Sequence, residues 1–334
     1  MRFEYYHAGL EDVPKLSVDG LVPHSLHFSH WQGNRTPARV KADSSTEIAL
    51  NVVAAPDTHE LTQGLELITN NHFDTDGVLS VWTLLTGARA LDLRAELIAA
   101  AEAGDFSAHT GAQAIRASLV IQGGDGFAPD AGVVSPLARH LAGDADVDEA
   151  QAYALVLPEV ERIVTSTNHY EHLWHDEWAK IEASLESFAR GASQVEEDEE
   201  AQLSIITLSC ELYGARGFSP TRHAAPYTAI THHARGQLYL IAIPLEDGTT
   251  GYRIDYPYHS WAETVVRPAI RRYDFAPLVA QLNEWERNRE GRWQLDTDGL
   301  SSAFNFVDDR GLLRASCLAP EKIADALREF VRRQ

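Results

Sequence analysis

Residues 65–86 read Leu-Glu-Leu-Ile-Thr-Asn-Asn-His-Phe-Asp-Thr-Asp-Gly-Val-Leu-Ser-Val-Trp-Thr-Leu-Leu-Thr. The apolar residues from Leu65 to Ile68 predict a short strand, and those from Val78 to Leu85 recur with the spacing of a helix. A polar cluster lies between the two elements. Because open α/β sheets place their sites where a strand ends and a helix begins, the stretch predicts an α/β fold with a site at this turn.

Three side chains of the polar cluster suit a divalent cation. His72, Asp74 and Asp76 lie within five residues, and Gly77 supplies a tight turn after them. Hard cations take carboxylate oxygens as ligands, and Mn²⁺ or Zn²⁺ also accept imidazole. The alternative is that Asp74 or Asp76 only caps the following helix, since Asp-Gly is a common turn. We favour a metal or phosphate site, because the neighbouring polar residues have no evident packing role.

The motif His-x-Asp-x-Asp-Gly-x-x-Ser, at residues 72–80, resembles motif I of the DHH phosphoesterase superfamily. Members of that superfamily hydrolyse phosphoesters or phosphoanhydrides with Mn²⁺ or Mg²⁺. The resemblance implies that Asp74 and Asp76 are metal ligands, with His72 a ligand or a close neighbour. Some branches carry the histidine where this chain has Asn70, so the role of His72 stays open. The Asp-His-His string of the superfamily is absent from the sequence.

Two other resemblances compete with this one. Together with residues 29–37 (Ser-His-Trp-Gln-Gly-Asn-Arg-Thr-Pro) and 42–49 (Ala-Asp-Ser-Ser-Thr-Glu-Ile-Ala), the motif resembles a bacterial family of unknown function. That resemblance spans most of the chain and implies no activity. Residues 73–79 also resemble the nucleophile motif of haloacid-dehalogenase-type phosphatases, which would make Asp74 a nucleophile. In those enzymes the aspartate directly follows a long apolar strand, whereas polar residues intervene here, so we prefer the first match.

Composition limits the classes of function. The chain has 334 residues, 44% of them hydrophobic, which predicts a globular protein of one large domain or two. The formal net charge of −21 argues against general nucleic-acid binding and predicts that a small anionic substrate needs a metal or arginines. Cys210 and Cys317 predict no disulfide framework. With no signal region and no apolar run of about 20 residues, we expect a cytoplasmic protein without a membrane partner. The oligomeric state is not indicated.

The first predicted domain, residues 1–192, is an α/β domain with a mostly parallel sheet. A capping box that begins at Ser44 predicts a helix to about residue 55. The loop before this helix is rich in polar residues, and a helix N-terminus with nearby cations can bind an anion. We therefore predict that Asn34 and Arg35 of this loop contact the substrate, together with Asn70 of the polar cluster after the central strand. The alternative is a surface loop with ordinary caps.

Further metal ligands are expected from later in this domain. Residues 92–103 predict an alanine-rich helix that ends at Gly104, and Asp105 follows as the first candidate to complete the site. Residues 148–190 predict a long helical stretch that is broken near Pro158. On such a helix His169 and His172 share a face and could reach a metal. The alternative is an amphipathic helix whose histidines are solvated.

The second predicted domain, residues 201–334, is an α+β substrate or cap domain. The acidic run at 196–200 predicts a solvated linker before it. Apolar runs near 203–208, 227–232, 237–243 and 252–255 predict an antiparallel meander. A last helix is predicted after Pro320, which fits the first helical position.

These features favour a metal-dependent phosphohydrolase that acts on a small phosphorylated or nucleotide-like substrate. Asp74, Asp76 and His72 would carry the chemistry with Mn²⁺ or Mg²⁺. Two alternatives stay open. The absent Asp-His-His string favours a non-catalytic ligand-binding or assembly protein on a degenerate hydrolase scaffold, and a metallohydrolase of non-phosphoryl substrates differs only in what it cleaves.

Overall fold

The computed structural model describes residues 1–124, 135–143, 145–214, 225–296 and 300–334. The protein is an α/β molecule with a parallel sheet in its N-terminal part and a mostly antiparallel sheet with helices in its C-terminal part. The chain forms two compact units. The first comprises Met1–Ala179 and Trp261–Ala269, and the second comprises Lys180–Ser260 and Ile270–Gln334. The division at 179/180 therefore falls before the predicted boundary at 193–200.

The regular elements of the described residues are as follows. The strands are β1 (Arg2–Phe3), β2 (Lys15–Val18), β3 (Ser25–Phe28), β4 (Leu67–Thr69), β5 (Gln194–Asp198), β6 (Leu203–Thr207), β7 (Leu238–Pro244), β8 (Thr250–Asp255), β9 (Arg292–Leu295), β10 (Ser302–Val307) and β11 (Ala315–Ser316). The α-helices are α1 (Ser45–Ala54), α2 (Thr58–Leu61), α3 (Thr75–Thr86), α4 (Arg94–Asp105), α5 (Ala112–Ile121), α6 (Pro136–Ala142), α7 (Glu149–Val156), α8 (Val160–Thr165), α9 (Glu171–Ala189), α10 (Cys210–Tyr213), α11 (Tyr227–His233), α12 (Ala276–Trp285) and α13 (Pro320–Arg332).

The sheet of the first unit has the order β1-β4-β2-β3, and every pair in it is parallel. Strands β2 and β3 are joined only by residues 19–24, with Asp19 and His24 at φ +46° and +53°. Few residues other than glycine adopt this left-handed conformation, although aspartate and asparagine do so more readily than most. Because all strands run the same way, their carboxyl ends meet at one edge of the sheet.

Helices α1, α3, α4 and α5 pack on one another behind this edge. Helix α3 is buried from Thr75 to Leu84, in agreement with its apolar sequence. Helix α4 runs through Gly104 and ends at Asp105, so the prediction that Gly104 terminates it was wrong. A Cβ at Gly104 would lie 2.7 Å from Cβ of Thr75. Glycine is therefore required here because α4 closely approaches the start of α3.

Several predicted elements of the first unit are confirmed. The predicted strand–turn–helix is β4 followed by α3. Oγ of Ser44 accepts a hydrogen bond from the amide of Glu47 and caps α1. The stretch 148–190 is mostly helical, and a 3-10 turn at Leu157–Glu159 interrupts it, as the proline predicted. A second break at Ser166, followed by a 3-10 turn at Thr167–Tyr170, was not predicted. Among the described residues, no helix has the length and apolarity to cross a bilayer.

The second unit is built on a seven-stranded sheet of order β5-β6-β7-β8-β10-β9, with β11 paired to β8. The pair β6–β7 is parallel and the others are antiparallel. Its core buries Trp293, Phe304 and Phe306 together with Ile323 and Leu327 from α13. The predicted meander is confirmed for β7 and β8, which pair antiparallel.

Two predictions for this unit were wrong. Residues 227–232, predicted as a strand, lie in helix α11, because a short apolar run does not distinguish a buried helix from a strand. Residues 196–198 of the acidic run predicted as a linker lie in strand β5, which pairs with β6 at the edge of the sheet, and residues 199–200 lie in the turn that follows. Arg328 binds Glu196 at 2.7 Å and Asp198 at 2.9 Å. Charged side chains on an edge strand are a common protection against pairing with other chains.

Candidate metal centre

The carboxyl edge of the first unit's sheet gathers four aspartates and two histidines. Asp19 follows β2, and His30 lies two residues after β3. The turn from β4 into α3 supplies three more side chains, and the last residue of α4 supplies the sixth. We call this set the acidic centre; its members are Asp19, His30, His72, Asp74, Asp76 and Asp105.

An inner group within the acidic centre is buried. Its ligand atoms come from Asp19, His30, Asp76 and Asp105 and lie within 4.8 Å of one another. Nε2 of His30 lies 3.1 Å from Oδ2 of Asp105 and 3.2 Å from Oδ1 of Asp19. It lies 3.7 Å from Oδ2 of Asp76. All four residues are at most 5% exposed, so bulk water cannot solvate their charges.

An outer group shares one residue with the inner group. Nε2 of His72 lies 3.1 Å from Oδ2 of Asp19 and 3.2 Å from Oδ2 of Asp74. The side chains of His72 and Asp74 are 26% and 23% exposed, so this group is open to solvent on one side. Asp19 directs one carboxylate oxygen to each group, which is how a carboxylate bridges two cations.

The spacing of these atoms fits cations of ordinary size. Ligands about 2.1 Å from an ion lie about 3.0 Å apart when adjacent in an octahedron and about 3.4 Å apart in a tetrahedron. The closest separations from His30 and His72, 3.1–3.2 Å, fall in this interval. Each group could therefore hold one divalent cation between its imidazole and its carboxylates.

The orientation of His30 is fixed by the backbone. Its Nδ1 lies 2.6 Å from the carbonyl oxygen of Asp43. A carbonyl oxygen can only accept a hydrogen bond, so Nδ1 carries a hydrogen and Nε2 faces the carboxylates of the inner group. Histidines that bind metals commonly donate their second nitrogen to such an acceptor, which fixes the tautomer and the direction of the ring.

Two atoms of the inner group lack hydrogen-bond partners. Nε2 of His30 and Oδ2 of Asp105 are buried and have no partner in hydrogen-bond geometry, although they lie only 3.1 Å apart. Burial and the charges of Asp74 and Asp76 raise the pKa of Asp105 well above its usual value. Asp105 also ends α4, where the exposed carbonyls already carry negative partial charge. A cation beside Asp105 would supply a partner for its Oδ2, offset the neighbouring carboxylate charges, and favour the negative end of α4.

Asp74 and Asp76 each serve a helix as well as the centre. Oδ1 of Asp74 accepts a hydrogen bond from the amide of Gly77 and caps α3, while Oδ2 faces His72. The carboxylate of Asp76 accepts hydrogen bonds from the amides of Ser45 and Thr46, at 2.6 and 2.7 Å. The anion at the N-terminus of α1 is therefore a side chain of the protein. Helix capping and cation binding are compatible here because each carboxylate has oxygen lone pairs for both.

Two divalent cations would balance the four carboxylate charges of the acidic centre. Four ionised carboxylates carry four negative charges, and the set contains no lysine or arginine. Burial and the charge of Asp19 raise the pKa of Asp76 to about 7. Burial alone would lower the pKa of His30 and of His72, but the neighbouring carboxylates raise both well above the usual range. Without cations, the centre must hold protons to remain buried.

The structure corrects the prediction that His169 and His172 are ligands. Both are exposed, and they lie in a 3-10 turn and at the start of α9. The ring of His172 packs against that of His140 with centroids 4.6 Å apart. Among the described residues, the ligand groups contain neither of them. Helical spacing alone cannot separate a metal-binding face from a solvated one, so the pattern was misleading.

Asn70 supports the turn and does not face a substrate. It is fully buried, and its Oδ1 accepts hydrogen bonds from the amides of Asn71 and His72. Its Nδ2 donates to the hydroxyl of Tyr153, which donates in turn to the carbonyl of His72. A Cβ at Gly20 would lie 2.4 Å from Oδ1 of Asn71, so the turns after β2 and β4 are in close contact. Because Asn70 is buried and its side chain binds other parts of the protein, the prediction that it binds substrate was wrong.

The other two predicted substrate contacts lie in the loop before α1. Nδ2 of Asn34 donates to the carbonyl of Trp31 and to Glu263, at 2.8 Å each. The guanidinium of Arg35 is exposed and donates to the carbonyl of Ser25 at 3.3 Å. Asn34 thus has a structural role, whereas substrate binding by Arg35 stays a prediction.

Asp19 and His30 were not recognised as ligands from the sequence. Asp19-Gly20 has the pattern of an ordinary turn, and His30 lies in a polar stretch that predicts a loop. The only local signal is that each lies within two residues of a short run that could be a strand, and this does not indicate that the two strands are neighbours. By contrast, the structure brings the predicted Asp105 into the inner group.

Residues 2–332 match a protein family that is described as "Family of unknown function (DUF6687)". No curated protein and no solved structure matches the chain. The comparisons therefore name no activity.

Proposed function

We propose that this chain, which belongs to the DUF6687 family of unknown function, is a metal-dependent phosphohydrolase with a pair of divalent cations in its acidic centre. The substrate class is a small phosphorylated or nucleotide-like molecule. The resemblance of residues 72–80 to motif I of the DHH phosphoesterases supports the phosphoryl chemistry, and the donor set supports the metals.

One observation carries the proposal. The imidazole of His30 and the carboxylate of Asp105 lie 3.1 Å apart inside the protein, as an ion pair that lacks good hydrogen-bond geometry, beside two further buried carboxylates. Buried polar atoms are nearly always well hydrogen-bonded, and three buried carboxylates beside a single imidazole leave an excess of negative charge, which costs several kcal/mol. A purely structural role for these residues would be better served by neutral side chains. A bound cation explains why the charged ones are present.

The donor set favours Mn²⁺ or Mg²⁺. Carboxylate oxygens are the ligands of both ions, and the imidazoles of His30 and His72 make Mn²⁺ the better match. Paired cations of this kind lower the pKa of a bound water and neutralise charge on phosphoryl oxygens.

The two groups differ in a way that assigns their roles. The inner group offers ligand atoms from four buried residues, which is typical of a cation that stays enclosed. The outer group offers three, and the partial exposure of His72 and Asp74 leaves room for water and substrate. Trp31 flanks this open side, with its ring centroid 5.3 Å from that of His72. Substrate is therefore expected to enter beside His72 and Trp31.

The test is hydrolysis of bis(p-nitrophenyl) phosphate with Mn²⁺, together with the metal content of the purified protein. Asp74→Asn and Asp76→Asn are expected to abolish turnover because each removes an anionic ligand. Asp176→Asn, at a side chain that is 96% exposed, is the matched control and should keep full activity. Turnover that survives both site substitutions, or protein that binds no divalent cation, would refute the proposal.

A non-catalytic role is the second candidate, because the sequence lacks the Asp-His-His string of the resembled superfamily. In that case the enclosed inner group would hold a structural cation. Chelation would then lower the melting temperature, while no phosphoester would be cleaved with any divalent metal.

A further inference from the structure

We propose that Asp43 is a positioning residue that couples the docking of one chain segment to the inner cation site. The segment is Trp261–Ala269, which we call the strap; it belongs to the first unit although both flanking stretches belong to the second. The inference rests on the proposed function, because it concerns the affinity of the same acidic centre for cations.

The backbone of Asp43 acts on the inner group. Its carbonyl oxygen receives the Nδ1 hydrogen of His30 at 2.6 Å and thereby directs Nε2 toward Asp19 and Asp105. If this carbonyl moved, the ring would lose the contact that fixes its tautomer. Substitution of such outer partners of metal-binding histidines typically costs about 10–100-fold in metal affinity.

The side chain of the same residue holds the strap. Oδ1 of Asp43 accepts hydrogen bonds from the amides of Val265 and Val266, at 2.5 and 2.7 Å. Oδ2 accepts from the amide and the guanidinium of Arg267, at 2.9 and 3.0 Å. Asp43 is 3% exposed, so its carboxylate is largely withdrawn from water, and hydrogen bonds to an ionised acceptor are stronger than neutral ones.

The strap also contacts His30 directly. The amide of Glu263 donates to the carbonyl of His30 at 2.7 Å. The ring of Trp261 meets the imidazole edge-on, with centroids 4.9 Å apart. His30 is therefore held by the strap at its backbone and its ring, and through Asp43 at its Nδ1.

A second carboxylate fastens the strap from its own side. Glu263 accepts hydrogen bonds from the amide of Gly33 at 2.9 Å, from Nδ2 of Asn34 at 2.8 Å and from Nζ of Lys41 at 3.0 Å. None of these atoms belongs to the acidic centre. The strap can thus be loosened from this side without touching any cation ligand or Asp43.

Coupling between two binding events is reciprocal. If the docked strap keeps His30 oriented for a cation, the cation must favour the docked strap by the same factor. Occupancy of the inner group is therefore expected to tighten the strap, and a loosened strap is expected to weaken the inner group. A strap that served only as packing would affect stability and leave cation affinity unchanged.

The experiment uses the full chain with His72→Ala, which removes the outer group so that a calorimetric Mn²⁺ titration reports the inner group. Asp43→Asn and Glu263→Gln are each introduced into this parent. Hydrogen exchange of the amides of 263 and 265–267 is followed with and without Mn²⁺. Val266→Ala is the matched control, since this side chain is 86% exposed.

In the parent, Mn²⁺ is expected to slow exchange of the strap amides. Asp43→Asn should weaken Mn²⁺ binding by about tenfold or more and remove the Mn²⁺-dependent protection. Glu263→Gln should also weaken Mn²⁺ binding. If Asp43→Asn does not fold, this second variant still tests the coupling. Val266→Ala should change neither quantity. Mn²⁺ binding by the parent with unchanged affinity in both variants, or without protection of the strap, would overturn the coupling alone. A parent that binds no Mn²⁺ would overturn the coupling and the proposed function together.

Discussion

Replacement of Asp105 by asparagine should change stability in opposite directions without and with metal. The side chain is 2% exposed, and its Oδ2 has no hydrogen-bond partner. In metal-free protein, Asp105→Asn removes an acid that is buried beside other carboxylates at the C-terminal end of α4. Burial and the neighbouring carboxylates raise the pKa of Asp105 well above its usual value, so at neutral pH this acid makes the folded state less stable relative to the unfolded state. We therefore expect its replacement to stabilise the metal-free protein by about 1–3 kcal/mol. This corresponds to about 2–4 °C in melting temperature for each kcal/mol in a domain of this size.

With Mn²⁺ present, the wild type should become the more stable of the two proteins, or the difference between their free energies of unfolding should become much smaller. A cation at 100 times its dissociation constant stabilises the wild-type protein by about 2.7 kcal/mol. If loss of one anionic ligand weakens binding about 100-fold, the same concentration stabilises the variant by only about 0.4 kcal/mol.

The assay is thermal unfolding of both proteins in EDTA and in Mn²⁺, with Asp176→Asn as a surface control that should follow the wild type. Two results would refute the reasoning. One is a variant that is less stable than the wild type in EDTA. The other is an equal Mn²⁺-induced shift in both proteins, which would mean that Asp105 binds no cation.

Three further predictions concern metal stoichiometry and packing. His72→Ala should retain one tightly bound Mn²⁺ per chain, whereas His30→Ala should lose that ion, as measured by elemental analysis after gel filtration; equal losses would contradict the division into inner and outer groups. Asp19→Asn should weaken both sites together, because its two oxygens face different groups, and a titration in which only one site is affected would exclude the bridge. Gly104→Ala should destabilise the protein by about 1–3 kcal/mol in urea unfolding, because its Cβ would meet that of Thr75 at 2.7 Å, and a neutral result would show that α4 can shift.

The local part of the site could be predicted from the sequence. His72, Asp74 and Asp76 lie on one strand–turn–helix, and sequence neighbours at such a turn are necessarily close in space. Asp105 was found because it follows a well-marked helix, although it reaches the centre from the end of that helix and not from a strand.

The distant part of the site depends on strand order, which the sequence does not reveal. Strand β4 inserts between β1 and β2, so Asp19 lies beside the turn after β4 although more than forty residues separate them. His30 reaches the inner group because β3 lies next to β2 across a connection of only residues 19–24. Such short links between parallel strands are uncommon, and an Asp-Gly turn gives no sign of one.

The secondary-structure errors have a common cause. The apolar run at 227–232 and the acidic run at 196–200 were interpreted from composition alone, whereas their conformations are set by neighbours that are remote in sequence. Arg328 pairs with β5 from a helix near the end of the chain. A local sequence pattern carries no information about partners that are remote in sequence.

The position of the strap in the chain has a consequence for synthesis on the ribosome. Translation of the first unit's main segment ends at Ala179, but the strap begins only at Trp261, after all of Lys180–Ser260 has been made. A nascent chain that has emerged only to residue 260 therefore exposes the carboxylate of Asp43 without the amides of Val265, Val266 and Arg267. Domains generally fold in order as they emerge, but the first unit cannot be completed until the strap has been synthesised. A chain that stops before residue 261 would lack the strap and could not complete this unit.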